Sequence, residues 1–357
     1  MLYGLGGKMK KMLILSPLSD QALAVAGYLR KYDGYIVHGG FMPGERMRNH
    51  KYYEKLFYVQ NERSVEGYDC VLPTGARSTH WMITHFGTFR VNGVDYSKAN
   101  LRCFRKYTFL SHVKNLGVPV PQTYEEPEVI DVPYPIFYKP KFERGGGPRG
   151  VVWSVRELEK LEHKEGLIYQ EYITGSRTYG MGFIAQGGRT ITSFQHEELL
   201  SFPILGGSAV YIRVFHDERI KAYTERILES MEYSGWGLAE YKYCPNRKDY
   251  VFMEINAKLW ASIEFTFMNN SDFLWHLCGI RYPVEDVKSA CYVGRLISLG
   301  WPGILKGAPY LLKASRYVRY ESVGSLIISA FLMSLPHGSR KWIKEHLLAK
   351  LKRSEQF

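Results

Sequence analysis

The sequence predicts an α/β region, then a mixed α+β region, then a basic helical extension at the C-terminal end. Three observations carry this. Short apolar runs alternate with helically spaced segments over the first hundred residues, and a proline-rich break, Gly117-Val-Pro-Val-Pro, separates them from a second set of strands. Lysine and arginine then accumulate in the last fifth of the chain. Strands that alternate with helices favour a parallel sheet, because each crossover returns the chain in the same direction.

Taken in order, Met12-Leu-Ile-Leu is the first buried strand and Asp20–Lys31 has helical spacing. Tyr35-Ile-Val-His, Lys55-Leu-Phe-Tyr-Val and Cys70-Val-Leu-Pro continue the pattern of short apolar runs. The turn after the first strand, Ser16-Pro-Leu-Ser-Asp, lacks the G-x-G-x-x-G that cradles a dinucleotide pyrophosphate. A Rossmann-like topology here therefore carries no sign of NAD. Ser97 to Leu116 reads as one polar, basic helix ending at Gly117, where the prolines deny the preceding residues helical geometry. A second α+β region runs from about Pro133 to Ile280. Beyond it Gly300-Trp-Pro-Gly and Gly307-Ala-Pro read as loops, Val323–Leu335 as an apolar helix and Arg340–Arg353 as a basic one. The boundaries that follow are 1–98, 99–280 and 281–357.

Of the 357 residues, 45% are hydrophobic, enough to bury a real core, which excludes a disordered or fibrous chain. The five cysteines are scattered and form no C-x-x-C pair, so a zinc ribbon or disulfide scaffold is excluded and a reducing cytosol suits them. The N-terminus has no apolar run of secretory length, and Val323–Leu335 is too short to span a bilayer. A cytoplasmic location is the expectation. The formal charge is +12, a figure that first suggests nucleic acid or an anionic membrane. Residues 281–357, however, hold 13 Lys+Arg against 5 Asp+Glu, which leaves only +4 on the preceding 280. No specific nucleic-acid partner is expected for the body. The region 300–357 is left to pack on the body or a partner subunit, or to attach peripherally to an anionic membrane.

The residues that carry chemistry lie between these ends. Arg144-Gly145-Gly146-Gly147-Pro148-Arg149 is either a hairpin turn or a loop whose amides approach phosphate. It lacks the Gly-Lys-Ser/Thr ending of a P-loop. Lys139 ends the apolar run Tyr134-Pro-Ile-Phe-Tyr, where a bare ammonium is costly unless it snorkels outward or meets an anion. Lys106 opens a helical segment. Glu254 and Asn256 stand two apart on one strand, hence on one face, and Glu240 reaches that face if its strand pairs with theirs. Two carboxylates and a carboxamide offer hard oxygens for Mg²⁺, with a solvated hairpin face as the alternative.

The order of these segments resembles the ATP-grasp superfamily, in particular the carboxylate–amine ligases related to the carbamoyl-phosphate synthetase large chain. The resemblance spans about Ala99 to Ile280 and rests most on Glu240-Tyr-Lys followed by Glu254-Ile-Asn256-Ala-Lys258-Leu-Trp260. Gln195-His196-Glu-Glu-Leu, read as a loop, and Gly206-Gly207-Ser208 are similar to a segment in many members. The resemblance implies an ATP-grasp fold behind a Rossmann-like pre-ATP-grasp domain, with a lid subdomain at about 118–172. It implies that Lys106 and Lys139 contact the phosphates of ATP and that Gly145, Gly146 and Gly147 cover them. Gln170, Glu171, Tyr172 and Ile173 would form the adenine-binding hinge. Glu240, Glu254 and Asn256 would hold Mg²⁺, or Mn²⁺ in its place, and Lys258 would neutralise the transferring phosphoryl group. The chain departs from the family at Arg105, Arg177, Glu198 and Lys258, where an acid, an acid, an arginine and an arginine respectively are usual.

The implied reaction activates a substrate carboxylate as an acyl phosphate and joins it to an amine, both small molecules, with precursors of amino acids or cell-surface glycans as candidate substrates. His196 is a candidate catalytic group near the acceptor and equally a structural histidine. An ATP-grasp kinase, a thioester-forming ligase and a nucleotide-binding scaffold without turnover are the alternatives.

Overall fold

The computed structural model describes residues 9–125, 132–143, 145–161, 164–175, 177–204, 206–321 and 323–334. The chain divides into two compact units, Met1–Glu198 with Val214–Val287, and Leu199–Arg213 with Lys288–Phe357.

The first unit opens with β1 (Lys10–Leu15), α1 (Asp20–Leu29), β2 (Tyr35–Phe41), β3 (Lys55–Tyr58), β4 (Cys70–Pro73) and α2 (Ala76–Phe86). Its four strands form a wholly parallel sheet in the order β3-β2-β1-β4, as the alternation predicts. Met12 to Leu15 are all buried, which is why β1 is an unbroken apolar run rather than an alternating one. Ser19 caps α1 by accepting from the Ala22 amide. A hairpin of β5 (Phe89–Val91) and β6 (Val94–Tyr96) follows.

Ser97 to Leu116 is not one helix. A 3₁₀ segment, Lys98–Phe104, stops at Arg105, and α3 (Lys106–Asn115) starts after it. Arg105 leaves helical geometry (φ −99°, ψ 86°) to bridge Phe142. On either side of that bridge, the Lys106 amide donates to Lys141 O at 2.9 Å and the Glu143 amide to Phe104 O at 2.9 Å. Tertiary pairing overrides local helical preference here, and the result sets Lys106 beside Glu143.

A small sheet comes next, built from β7 (Thr123–Tyr124), β8 (Ile136–Pro140), β9 (Gly150–Val152) and β10 (Leu167–Glu171), with α4 (Val155–Glu159) between the last two in sequence. It is antiparallel throughout, in the order β7-β10-β8-β9, around Ile136, Val152, Leu158, Leu167 and Tyr169. The chain continues through β11 (Thr178–Gln186), β12 (Arg189–Phe202), β13 (Ser208–Val214), α5 (Glu218–Ser230), β14 (Gly235–Cys244), β15 (Asp249–Asn256), α6 (Ile263–Asn269) and α7 (Asp272–Cys278). Within the first unit β15, β14, β11 and β12 lie side by side, each antiparallel to the next.

This sheet has two unlike faces. Tyr179, Met181, Phe183, Tyr241, Phe252 and Ile255 point into the main core with α3 and α5. Period-two alternation sends their neighbours to the opposite face. There the middle of β11 carries only hydrogen: a Cβ on Gly180 would lie 2.5 Å from the His196 ring, and one on Gly182 2.3 Å from the Trp260 ring.

In the second unit β13 pairs antiparallel with β16 (Ser289–Tyr292), which pairs in parallel with β17 (Arg316–Val318). Its helices are α8 (Val293–Ser298), α9 (Gly300–Lys313) and α10 (Val323–Ser334), and its apolar core includes Leu200, Val210, Tyr211, Cys291 and Leu296. The segments Gly300-Trp-Pro-Gly and Gly307-Ala-Pro are not loops but the body of α9. Pro302 sits in the first turn, where its missing N–H costs nothing. The glycines are there for contact: a Cβ on Gly303 would meet Leu299 at 2.2 Å and one on Gly307 would meet Leu296 at 2.6 Å. The basic segment Arg340–Arg353 lies outside the described residues. All five cysteines are free thiols, and among the described residues no helix is long and apolar enough to cross a membrane.

Gly182→Val tests the packing of the glycine face. Forcing a side chain against the Trp260 indole is expected to destabilise the protein by about 1–3 kcal/mol, read as a lower urea midpoint. An unchanged midpoint would mean that Trp260 has room to withdraw.

Candidate active site

The polar face of the large sheet gathers ionisable side chains from four separate segments. β14 and β15 place Glu240 opposite Glu254, and Leu238 opposite Asn256. The register shifts between Glu240 and Tyr241, making Met253 the extra residue of a β-bulge. A bulge turns backbone groups out of the ladder, and the Met253 carbonyl accepts from Lys139 Nζ at 3.4 Å. Asn256 Nδ2 bridges the two acids, donating to Glu240 Oε1 at 2.9 Å and to Glu254 Oε1 at 3.3 Å. Lys258 Nζ donates to Asn256 Oδ1 at 3.1 Å.

The centre of the cluster is the other oxygen of Glu254. Lys106 Nζ and Lys139 Nζ each lie 2.9 Å from Glu254 Oε2, and Lys106 also meets Glu143 Oε2 at 2.8 Å. The side chains of Lys106 and Lys139 are 8% and 9% exposed, so both ammoniums have been taken out of water onto one carboxylate oxygen. Glu143 Oε1 accepts from the Gly145 amide at 2.8 Å, tying the glycine loop to the same network. Three lysines thus face three carboxylates in a space largely closed to solvent.

Burial and charge pairing divide these groups. Burial opposes ionisation of Glu254, but Lys106 and Lys139 prevail and hold it well below the usual carboxylate range. Burial raises Glu240, and repulsion from Glu254 adds to it, pushing Glu240 up to about 7. Lys106 resists its burial because Glu254 and Glu143 together favour its charged form. Lys139 is lowered by burial, which Glu254 only partly offsets. Glu143 is buried but held low by Lys106. An incoming polyanion would find two desolvated ammoniums that share the Glu254 carboxylate, with Glu143 as a second partner of Lys106.

The donor set fits a hard cation. Among the described residues no three His, Cys, Asp or Glu side chains converge as a metal site. The oxygens on offer are instead two carboxylates and a carboxamide, which suits Mg²⁺ more than zinc. Asn256 Nδ2 now lies between the two acids, where it acts as a weak positive end. Turning the amide over would direct Oδ1 inward and release Lys258.

The remaining expected residues make other contacts. Gly145, Gly146 and Gly147 connect β8 to β9 with positive φ (77°, 144° and 119°), so the run is a hairpin connection with left-handed backbone. A Cβ on Gly145 would touch Ala76 at 3.5 Å. Arg144 lies outside the described residues. Gln170 is buried, its Nε2 donating to Thr123 Oγ1 at 3.0 Å while its Oε1 has no partner. The Glu171 amide donates to Gln122 O at 2.8 Å, and its carboxylate pairs with Arg247. The Tyr172 ring meets Trp153, and Ile173 packs with Cys244 and Val251. Arg177, at a position where the family has an acid, pairs with Glu197 at 3.3 Å.

His196 is not in a loop. It stands on β12 opposite Gly180, which in turn is opposite Glu240, so one row of the sheet runs from Glu254 to His196. The ring is buried with no hydrogen bond at either nitrogen, and Glu198 Oε1 is 3.8 Å away. Burial drives its pKa down to about 3, so the imidazole is neutral. Glu143 went unnoticed in the sequence, although Lys139, Lys141 and Glu143 share strand alternation. Lys242, lowered by burial and donating to Gly175 O at 3.0 Å, was likewise not singled out as a site residue.

Two predictions follow from the charges. Glu254→Gln leaves two buried ammoniums short of a counter-charge and should cost about 3 kcal/mol of stability, with partial recovery when Lys139→Met is added. Equal unfolding midpoints for wild type and Glu254→Gln would contradict the pairing. For His196 the folded pKa lies below its ordinary 6.5. Its neutral burial therefore stabilises fully above about 6.5 and is lost as pH falls toward 3. His196→Leu should flatten the fall in urea midpoint across that window.

Comparisons with known proteins bear on the fold that carries these residues. A family model described as an ATP-grasp domain matches residues 103–262. No curated protein sequence matches the chain. Among solved structures, pyruvate carboxylase of Rhizobium etli is similar with a TM-score of 0.56 and 15% identity over 73% of this chain. The match spans only 27% of that much longer protein. Biotin carboxylase of Campylobacter jejuni, solved as a β-γ-ATP complex, gives 0.57 at 16% identity, covering 78% of this chain and 73% of that one. An L-amino acid ligase of Bacillus licheniformis gives 0.52 at 13% identity, covering 71% and 68%. Such identities speak for the fold alone. The fold of this chain is the ATP-grasp fold, and its residues 103–262 match the family model of an ATP-grasp domain.

Proposed function

We propose that the chain is an ATP-dependent, ADP-forming ligase that activates a small-molecule carboxylate and joins it to an amine. The observation that carries this reading is the convergence of Lys106 and Lys139 on Glu254, beside Glu240 and Asn256, within an ATP-grasp domain. Buried lysines are expensive unless an anion receives them, and a triphosphate provides several.

In this reading Lys106 and Lys139 exchange the Glu254 carboxylate for phosphate oxygens of ATP. The amides of Gly145, Gly146 and Gly147 cover the phosphates, and Gln170 to Ile173 take the adenine. Glu240, Glu254 and Asn256 hold Mg²⁺, or Mn²⁺ in its place. The metal, when bound, supplies further neutralisation of phosphate charge. A carboxylate oxygen of the substrate attacks the γ-phosphorus, the bond to the ADP oxygen breaks, and an acyl phosphate results. The amine nitrogen then bonds to the acyl carbon, phosphate departs, and the amine loses a proton. Lys258, released from Asn256, faces the transferring phosphoryl group as a point charge. His196, neutral, offers the acceptor one hydrogen-bond donor and one acceptor. Positioning and charge neutralisation account for catalysis of this kind. The segment of about 118–172 acts as the lid that keeps water from the acyl phosphate.

The test is ADP release across a panel of carboxylates and amines, with hydroxylamine added to trap an acyl phosphate as a hydroxamate. Carboxylate-dependent ADP and hydroxamate are expected, and Lys139→Ala or Glu240→Gln should lower kcat by about 10²–10³. Phosphate transfer to a hydroxyl, or product formed only with a thiol, would replace the amine with those acceptors. Tight ATP binding with no ADP from any pair would sink the ligase reading in favour of a scaffold.

A further inference from the structure

Helix α9 turns an apolar stripe away from its own unit. At 3.6 residues per turn Trp301, Leu305 and Leu312 fall within about 40° of one another on the helix surface. They are 59%, 72% and 90% exposed. The buried side of the same helix is carried by Gly303 and Gly307, pressed against Leu299 and Leu296. The stripe is therefore the side that this packing leaves uncovered. Helix α10 packs with α8 and α9 and adds two more exposed apolar side chains one turn apart, Ile327 and Phe331. Isolated apolar residues on a surface are ordinary, but a contiguous stripe marks an interaction site.

The charge around the stripe says what it meets. Lys306 and Lys313 are exposed on one flank of α9, and Arg316, Tyr317 and Arg319 are exposed just beyond it. From residue 287 to residue 320 the sequence holds six Lys and Arg and not one Asp or Glu. A second copy docked through the same face would bring lysine against lysine with no acid to receive it, which disfavours that contact. A lipid surface with anionic headgroups satisfies both features. Leucine and tryptophan enter the boundary between headgroups and acyl chains while the cations stay among the phosphates. With 14 residues, α9 is about 21 Å long and suited to lie in that boundary, not to cross a bilayer.

We propose that the exposed face of α9, with Trp301, Leu305 and Leu312 at its centre and Lys306 and Lys313 beside them, docks the protein peripherally on an anionic lipid membrane. This surface is independent of the nucleotide-site reading and stands or falls separately from it.

Vesicle flotation of the full chain tests it, with phosphatidylcholine vesicles set against vesicles of phosphatidylcholine and phosphatidylglycerol. The protein should float at least about tenfold more with the anionic vesicles, and added salt should reduce the difference. The double variant Leu305→Glu/Leu312→Glu should lose about tenfold in partitioning with an unchanged unfolding midpoint, and Lys306→Glu/Lys313→Glu should lose the preference for anionic vesicles. Equal flotation of wild type and the leucine double variant would overturn the proposal by placing attachment elsewhere in the chain. So would failure of the wild type to float, or a dimer in sedimentation equilibrium that the leucine double variant disperses.

Discussion

Glu254 is the constraint on which the site depends. One of its carboxylate oxygens receives two buried ammoniums, and the other receives the amide that reaches across to Glu240. Taking so many charges out of water is costly, and the fold bears that cost only because α3, β8, β14 and β15 deliver their groups to one point. Each delivery has a local cause. The Arg105–Phe142 bridge aims Lys106, the end of an apolar strand aims Lys139, and the bulge at Met253 turns a carbonyl toward the same lysine. Such an arrangement is a poor way to gain stability and a good way to hold charge ready for a polyanion.

The large sheet divides labour between its faces. Its core face is a continuous apolar layer against α3 and α5, which fixes the strands rigidly. Its other face can then carry acids, lysines and a buried imidazole without losing the fold. Three carboxylates and three lysines balance locally, so the site does not draw on the overall +12 of the chain. That excess belongs largely to the C-terminal residues, where the second unit shows a different chemistry of cations beside exposed leucines.

Much of this was legible in the sequence, and the exceptions have physical causes. Strand alternation placed Glu254 and Asn256 on one face, and the pairing of β14 with β15 met the condition for Glu240 to join them. Lys139 was legible because an ammonium after five mostly apolar residues requires an explanation. Glu143 was not, because its role comes from a backbone bridge between residues nearly forty positions apart, which no local pattern encodes. The break at Arg105 was hidden for the same reason. The glycines and prolines of 300–309 were misleading in the opposite sense, since glycine marks both a turn and a close helix contact. His196 read as a loop residue because a strand with Gln-His-Glu-Glu in its middle lacks the usual alternation of apolar side chains.

Gly180 and Gly182 have one more effect. Antiparallel strands tolerate slippage by pairs of residues when their side chains are interchangeable. On β11 they are not: sliding β11 by two residues would put Thr178 beneath the His196 ring in one direction and Ile184 beneath the Trp260 ring in the other, where only hydrogen fits. The two glycines therefore act as a gauge. They admit a single alignment of β11 with β12 and β14, and with it the one row in which Glu254, Glu240 and His196 fall into line.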